Sequence, residues 1–98
     1  MPYIKQQYRS GLAPFIEELV DEMAGEFATP GMLNYVITKI IDEWLGERTD
    51  YEKINSAIGV LECAKLELYR RVAARYEDIK AEDNGDVYQD RPQLQQEG

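Results

Sequence analysis

From Thr49 to Asn84 the chain runs without a proline, with apolar residues at Ile54, Ile58, Leu61, Leu68, Val72 and Ile79. That unbroken stretch constrains the fold more than any other feature. Apolar residues returning at intervals of three and four share one helical face. Thr49 followed by Glu52 gives a capping box at one end, and Asn84-Gly85 supplies a terminator at the other. The pattern predicts one helix of about thirty residues, or about 45 Å at 1.5 Å per residue.

Two shorter helices precede it. Pro14 suits a first helical turn, and Leu12, Phe15, Ile16, Leu19, Val20, Met23 and Phe27 share a face, which predicts a helix over about residues 14–27. Thr29-Pro30 is a cap followed by a first-turn proline. Leu33, Val36, Ile37, Ile40, Ile41, Trp44 and Leu45 then form a wide apolar stripe that Gly46 ends. Residues 1–13, with Gly11 as a breaker, are expected to be an extended arm. Residues 14–83 form the helical domain, and the polar residues 84–98 form a tail expected to be disordered.

The expected fold is therefore all-α: a three-helix protein with one long C-terminal helix. Two helices of about 20 Å do not cover a third of twice that length unless laid end to end. The stripe of the long helix and the face of the second helix with Tyr35, Ile37, Ile41 and Trp44 would leave an apolar patch that soluble monomers rarely carry. A homodimer or higher homo-oligomer that completes a helical bundle is the expected solution.

With 19 acids against 11 bases and a net charge of −8, the chain lacks the basic footprint of general nucleic-acid binding. No run of residues has the length of a membrane span or the pattern of a signal peptide, so no membrane partner and a cytoplasmic location are expected. The chain has no histidine, which removes Cys/His zinc sites and every serine–histidine or cysteine–histidine mechanism. Cys63, the one cysteine, lies within an apolar helical pattern and reads as a small core residue.

Three groups of residues carry possible chemistry. Glu17, Glu18, Asp21, Glu22 and Glu26 concentrate negative charge on the first helix, either as a solvated face or as carboxylates converging on a divalent cation. Asn55, Gly59, Glu62, Leu66 and Tyr69 form one ridge of the long helix. Glu62 and Lys65 sit there among apolar neighbours and are expected to be at least partly sheltered, as a ligand-facing surface or as a polar network that sets register between subunits. Gly59 costs about 1 kcal/mol in mid-helix, which suggests a close approach to its backbone. Lys65, Arg70, Arg71, Arg75 and Lys80, with Tyr69 and Tyr76 among them, could hold a phosphorylated small molecule or answer the acids of the first helix or of a partner subunit.

On the stretches Asn34-Tyr35-Val36-Ile37-Thr38, Ile58 to Glu67, Tyr69-Arg70-Arg71, Tyr76-Glu77-Asp78 and Asn84-Gly85-Asp86-Val87-Tyr88, the chain resembles a family of small uncharacterised helical proteins from archaea and bacteriophages. That family looks like a structural relative of the all-α nucleoside triphosphate pyrophosphatases, the MazG-like and dimeric dUTPase group. The resemblance implies an oligomeric bundle in which E-E-x-x-E on one helix and E-x-x-D on another hold Mg2+ over a triphosphate. Glu17, Glu18 and Asp21 match the first pattern with aspartate in the last place, and Glu62 begins the second. The second then departs from the family, because Lys65 stands where an acidic ligand is expected.

Three functions are expected in consequence. One is a Mg2+-dependent pyrophosphatase with Glu17, Glu18, Asp21 and Glu62 on metal, and with Lys65, Arg70 and Arg71 on phosphates, beside Tyr69 and Asn55. Another is a non-catalytic phage sponge for a nucleotide immune signal, which Lys65 favours. The third is an acidic structural or inhibitory protein that binds a host partner.

Overall fold

The computed structural model describes residues 2–25 and 28–94. It is all-α among those residues, with α1 at Gln6–Met23, α2 at Pro30–Leu45, α3 at Tyr51–Leu68 and α4 at Ala74–Asn84. A π-helical turn, Tyr69–Ala73, joins α3 to α4, and Leu68, Ala73 and Ala74 all keep right-handed helical dihedrals. The chain therefore stays helical from Tyr51 to Asn84, which is the long C-terminal helix expected from the sequence. No helix among the described residues is long and apolar enough to cross a membrane.

The first helix differs from expectation at both ends. Residues 6–13 belong to α1 rather than to an extended arm, and α1 carries Pro14 in its interior. The Lys5 carbonyl accepts from the Tyr8 and Arg9 amides at 3.0 and 3.2 Å, which closes the first turn. Arg9 Nε donates to the Ile4 carbonyl at 2.6 Å, and Ser10 Oγ donates to the Gln6 carbonyl at 3.1 Å. Pro14 has no N–H for the Ser10 carbonyl, a loss of about 3 kcal/mol in a packed helix. Here Ser10 is exposed, so water can meet that carbonyl. At the other end α1 stops at Met23, before Gly25 at φ +108°. The expected extension through Glu26 and Phe27 lies outside the described residues.

The α2 boundaries follow the sequence signals. Thr29 Oγ1 accepts from the Met32 amide at 3.2 Å, Pro30 opens the helix, and Gly46 at φ +77° closes it. The α3 cap is displaced by one residue from the expected Thr49. Asp50 Oδ1 accepts from the Lys53 amide at 2.8 Å and the Asp50 carbonyl accepts from the Ile54 amide at 3.0 Å. Aspartate is as good a cap as threonine and adds charge at the positive end of the helix dipole.

The chain forms two compact units, residues Met1–Ala64 and Lys65–Gly98, with the division inside α3. In the first, Ala57 of α3 is the only buried apolar residue among those described, while Val36, Ile41 and Leu45 of α2 are half-buried. Lys53 Nζ lies 4.8 Å from the centre of the Trp44 ring and ties the start of α3 to the end of α2, worth about 0.5 to 1 kcal/mol at an exposed site. Phe15, Ile16, Leu33 and Ile40 remain exposed. Cys63, expected in a core, is exposed as well.

In the second unit, Ala73, Ala74 and Ala81 are half-buried and Leu68, Val72 and Ile79 are exposed. Gly85, at φ +90°, donates its amide to the Ala81 carbonyl at 2.8 Å and ends α4. Asp86 Oδ1 then accepts from the Tyr88 amide at 2.9 Å, a side-chain turn that reverses the chain. The tail expected to be disordered therefore opens with a defined turn and later contains a 3-10 turn at Pro92–Leu94. Residues 95–98 lie outside the described residues.

Candidate functional site

The π turn is the irregularity around which the C-terminal unit is organised. Eight α-helical steps of about 100° leave a residue about 80° past two full turns, so Tyr69 and Glu77 would face different directions on a regular helix. A π turn closes i→i+5 hydrogen bonds and advances less per residue. It brings the two positions towards one face. Tyr69 Oη donates to Glu77 Oε1 at 2.6 Å.

That hydrogen bond and the charge of Glu77 raise the Tyr69 phenol above its ordinary pKa, with smaller contributions from desolvation and from the charge of Tyr88. The Gly85-Asp86 reversal returns Tyr88 towards α4, the helix the chain has just left. Glu77, Asp78, Lys80, Ala81 and the residues from Gly85 to Tyr88 enclose an open concavity of about 430 Å3. Lys80 Nζ stands 5.6 Å from the centre of the Tyr76 ring.

Arg70 Nη2 donates to Glu67 Oε1 at 2.7 Å, while the Arg70 side chain stays 64% exposed. Tyr69 and Tyr76 also present exposed rings. An exposed guanidinium fork steadied by a carboxylate, beside aromatic rings, can meet phosphate oxygens and stack on a planar group. Lys65 and Arg71 belong to the same unit and are exposed.

The other expected site residues lie in the N-terminal unit. Glu17, Glu18 and Asp21 are exposed on α1, and Asn55 and Glu62 are exposed on α3. Among the described residues no three carboxylate or thiol groups gather closely enough to hold a metal ion. The carboxylates named for Mg2+ form no such cluster among the described residues of one chain, and no chemical step is routed through the ion. The expected sheltering of Glu62 and Lys65 is also absent in the single chain. Their apolar neighbours Ile58, Val60 and Leu66 are themselves 59%, 56% and 56% exposed. Glu62 and Lys65 do each take part in an interaction.

A second concavity, also about 430 Å3, opens in the N-terminal unit between Asn34, Ile37, Thr38, Ile41, Asp42 and Leu45 of α2 and Leu61 of α3. Its lining is mostly apolar, and Thr38 Oγ1 donates to Asn34 Oδ1 at its rim, at 3.1 Å. Glu77 and Tyr88 escape a reading based on sequence spacing. The signal that could have found them is the Asn-Gly-Asp reversal, which returns an aromatic residue to the helix it has just left.

No curated protein and no solved structure matches this chain. A family model does match, over residues 1–87, which takes in all four helices and most of the reversal after Gly85. The chain belongs to the family described as a domain of unknown function, DUF6899.

Proposed function

We propose that the protein is an obligate homo-oligomer, a helical bundle completed by association, that binds a phosphorylated small molecule of the nucleotide type without turning it over. One observation carries the reading. Among the described residues Ala57 is the one buried apolar side chain and most large apolar side chains are exposed, more than soluble monomers usually carry. Phe15, Leu33 and Leu68 are among them.

The ligand half of the reading rests on Lys65, Arg70 and Arg71 together with the rings of Tyr69 and Tyr76. Binding without turnover is favoured over pyrophosphate release because Lys65 stands at the position where the resembled enzymes need an acid. The carboxylates of Glu17, Glu18, Asp21 and Glu62 would have to converge between copies to hold Mg2+, since they do not do so within one.

Sedimentation at micromolar protein, followed by calorimetry with a panel of mono-, di- and cyclic nucleotides in EDTA, tests both halves. The expected result is a species of at least twice 11.3 kDa that binds a member of the panel and returns it unaltered. A lone 11.3 kDa species removes the assembly, and silence across the panel removes the ligand. Pyrophosphate released on adding Mg2+ would move the protein to the enzymes.

A further inference from the structure

Ile37, Ile41 and Leu45 of α2 and Leu61 of α3 line the mostly apolar groove of the N-terminal unit, and none of that lining comes from α1. The apolar face of α1 is meanwhile uncovered. Tyr8, Leu12, Phe15, Ile16 and Leu19 recur at intervals of three and four, and all are exposed, Phe15 by 71%. This stripe and the α2 wall from Asn34 to Leu45 each extend about 16 Å at 1.5 Å per residue. An amphipathic helix with anchors at that spacing is the usual occupant of an apolar groove.

Charge fixes both the occupant and its direction. Lys5 stands at the N-cap of α1 and Arg9 one turn later, at the end where the dipole disfavours cations, and the first turn has no acid. Lys5 precedes Tyr8 by three residues and so shares the side of the stripe. Asp42 and Glu43 lie in the last turn of α2 and Glu47 comes just after Gly46, at the end where the dipole disfavours anions, and that turn has no base. These three acids line a polar hollow of about 370 Å3 that shares Asp42 with the groove. Each helix thus carries, at that end, charge of the wrong sign for its own dipole. Laid antiparallel to α2, α1 brings the two misplaced sets together.

We infer that α1 of a second copy lies antiparallel to α2 in this groove, with Lys5 and Arg9 against Asp42 and Glu47. In its own chain α1 stays off the groove, so the helix that fills it comes from another copy. The exchange is reciprocal, because a two-fold arrangement repeats each pairing, and one dimer fills both grooves. It rests on the assembly proposed above and names the surfaces that build it.

The test uses the full chain in sedimentation equilibrium. One variant carries Lys5→Glu with Arg9→Glu, and the other carries Asp42→Lys with Glu47→Lys. Both pairs of substitutions suit the local helix dipoles better than the wild-type residues do, yet each variant alone should raise the dimer dissociation constant at least tenfold by setting like charges together. Mixed in equal amounts, the two should associate within about threefold of wild type, since each then offers the other an opposite charge. That recovery also shows that both variants fold.

A mixture as weak as its parts overturns the inference. Recovery in a chain carrying all four substitutions would then place α1 on the groove of its own chain. Two variants that each assemble like wild type overturn the docking and leave the assembly standing, whereas a monomeric wild type ends both.

Discussion

If the helices are held mainly by surfaces between copies, diluting the protein should lower its melting temperature. The single chain buries Ala57 alone among its described apolar residues, and isolated helices of 16 to 18 residues, the lengths of α1, α2 and α3, are marginal in water. Unfolding is then linked to dissociation. Each tenfold dilution removes about 1.4 kcal/mol from the assembled state. Two chains of 98 residues carry an unfolding entropy of about 0.4 kcal/mol/K at the usual 2.1 cal/mol/K per residue. The midpoint should therefore fall by about 3 °C per decade, or about 7 °C between about 100 μM and about 1 μM. Circular dichroism at the helical minimum, read in cells of different path length, covers that range. A midpoint constant to within about 1 °C across both decades would falsify the reasoning, because a two-state monomer has no concentration dependence.

Thr29→Ala should cost about 1 kcal/mol, since it leaves the Met32 amide without its acceptor at an α2 end with no other side-chain cap; denaturant unfolding at one protein concentration measures it, and Thr29→Ser should recover most of it. Tyr69 is raised above its ordinary pKa first by its hydrogen bond to Glu77, so the folded state favours the neutral phenol. Its contribution to stability is thus fully present below the unfolded tyrosine pKa of about 10 and is lost as pH climbs through the higher folded value. In an ultraviolet titration Tyr69→Phe should remove a tyrosine that ionises above the ordinary range, and Glu77→Gln should move Tyr69 back towards that range. Arg70→Gln should change stability by less than about 0.5 kcal/mol, because its pair with Glu67 is an exposed i,i+3 contact. The same substitution should weaken nucleotide binding at least tenfold by calorimetry, and equal affinity would take Arg70 out of the ligand site.

What the sequence made legible was local and polar. Thr29-Pro30, Gly46 and Asn84-Gly85 mark ends that the structure keeps, because a cap or a left-handed glycine acts over one turn and needs no tertiary support. The start of α1 was not legible. Gly11 and Pro14 are breakers only on average, and here the bonds from Arg9 and Ser10 back to Ile4 and Gln6 hold the turns before them. Thr49 and Asp50 are both good caps, and no rule of spacing chooses between neighbours of equal merit. The π turn left no trace because Tyr69-Arg70-Arg71-Val72-Ala73 reads as ordinary helix. What distinguishes it is a contact between positions eight apart, Tyr69 to Glu77, beyond the reach of the i,i+3 and i,i+4 reasoning used on helix faces.

The larger discrepancy concerns burial, and its cause is physical. Apolar periodicity states that a face will be covered; it does not state by which chain. Glu62, Lys65 and Cys63 were placed in sheltered surroundings because their neighbours Ile58, Val60 and Leu66 are apolar, and in the single chain those neighbours are themselves exposed. The same run of residues that misplaced the charges therefore marks the surface still to be covered. The pattern of Ile58, Val60 and Leu66 thus suggests a covered face that the single chain leaves exposed, and the assembly proposed above is what would cover it.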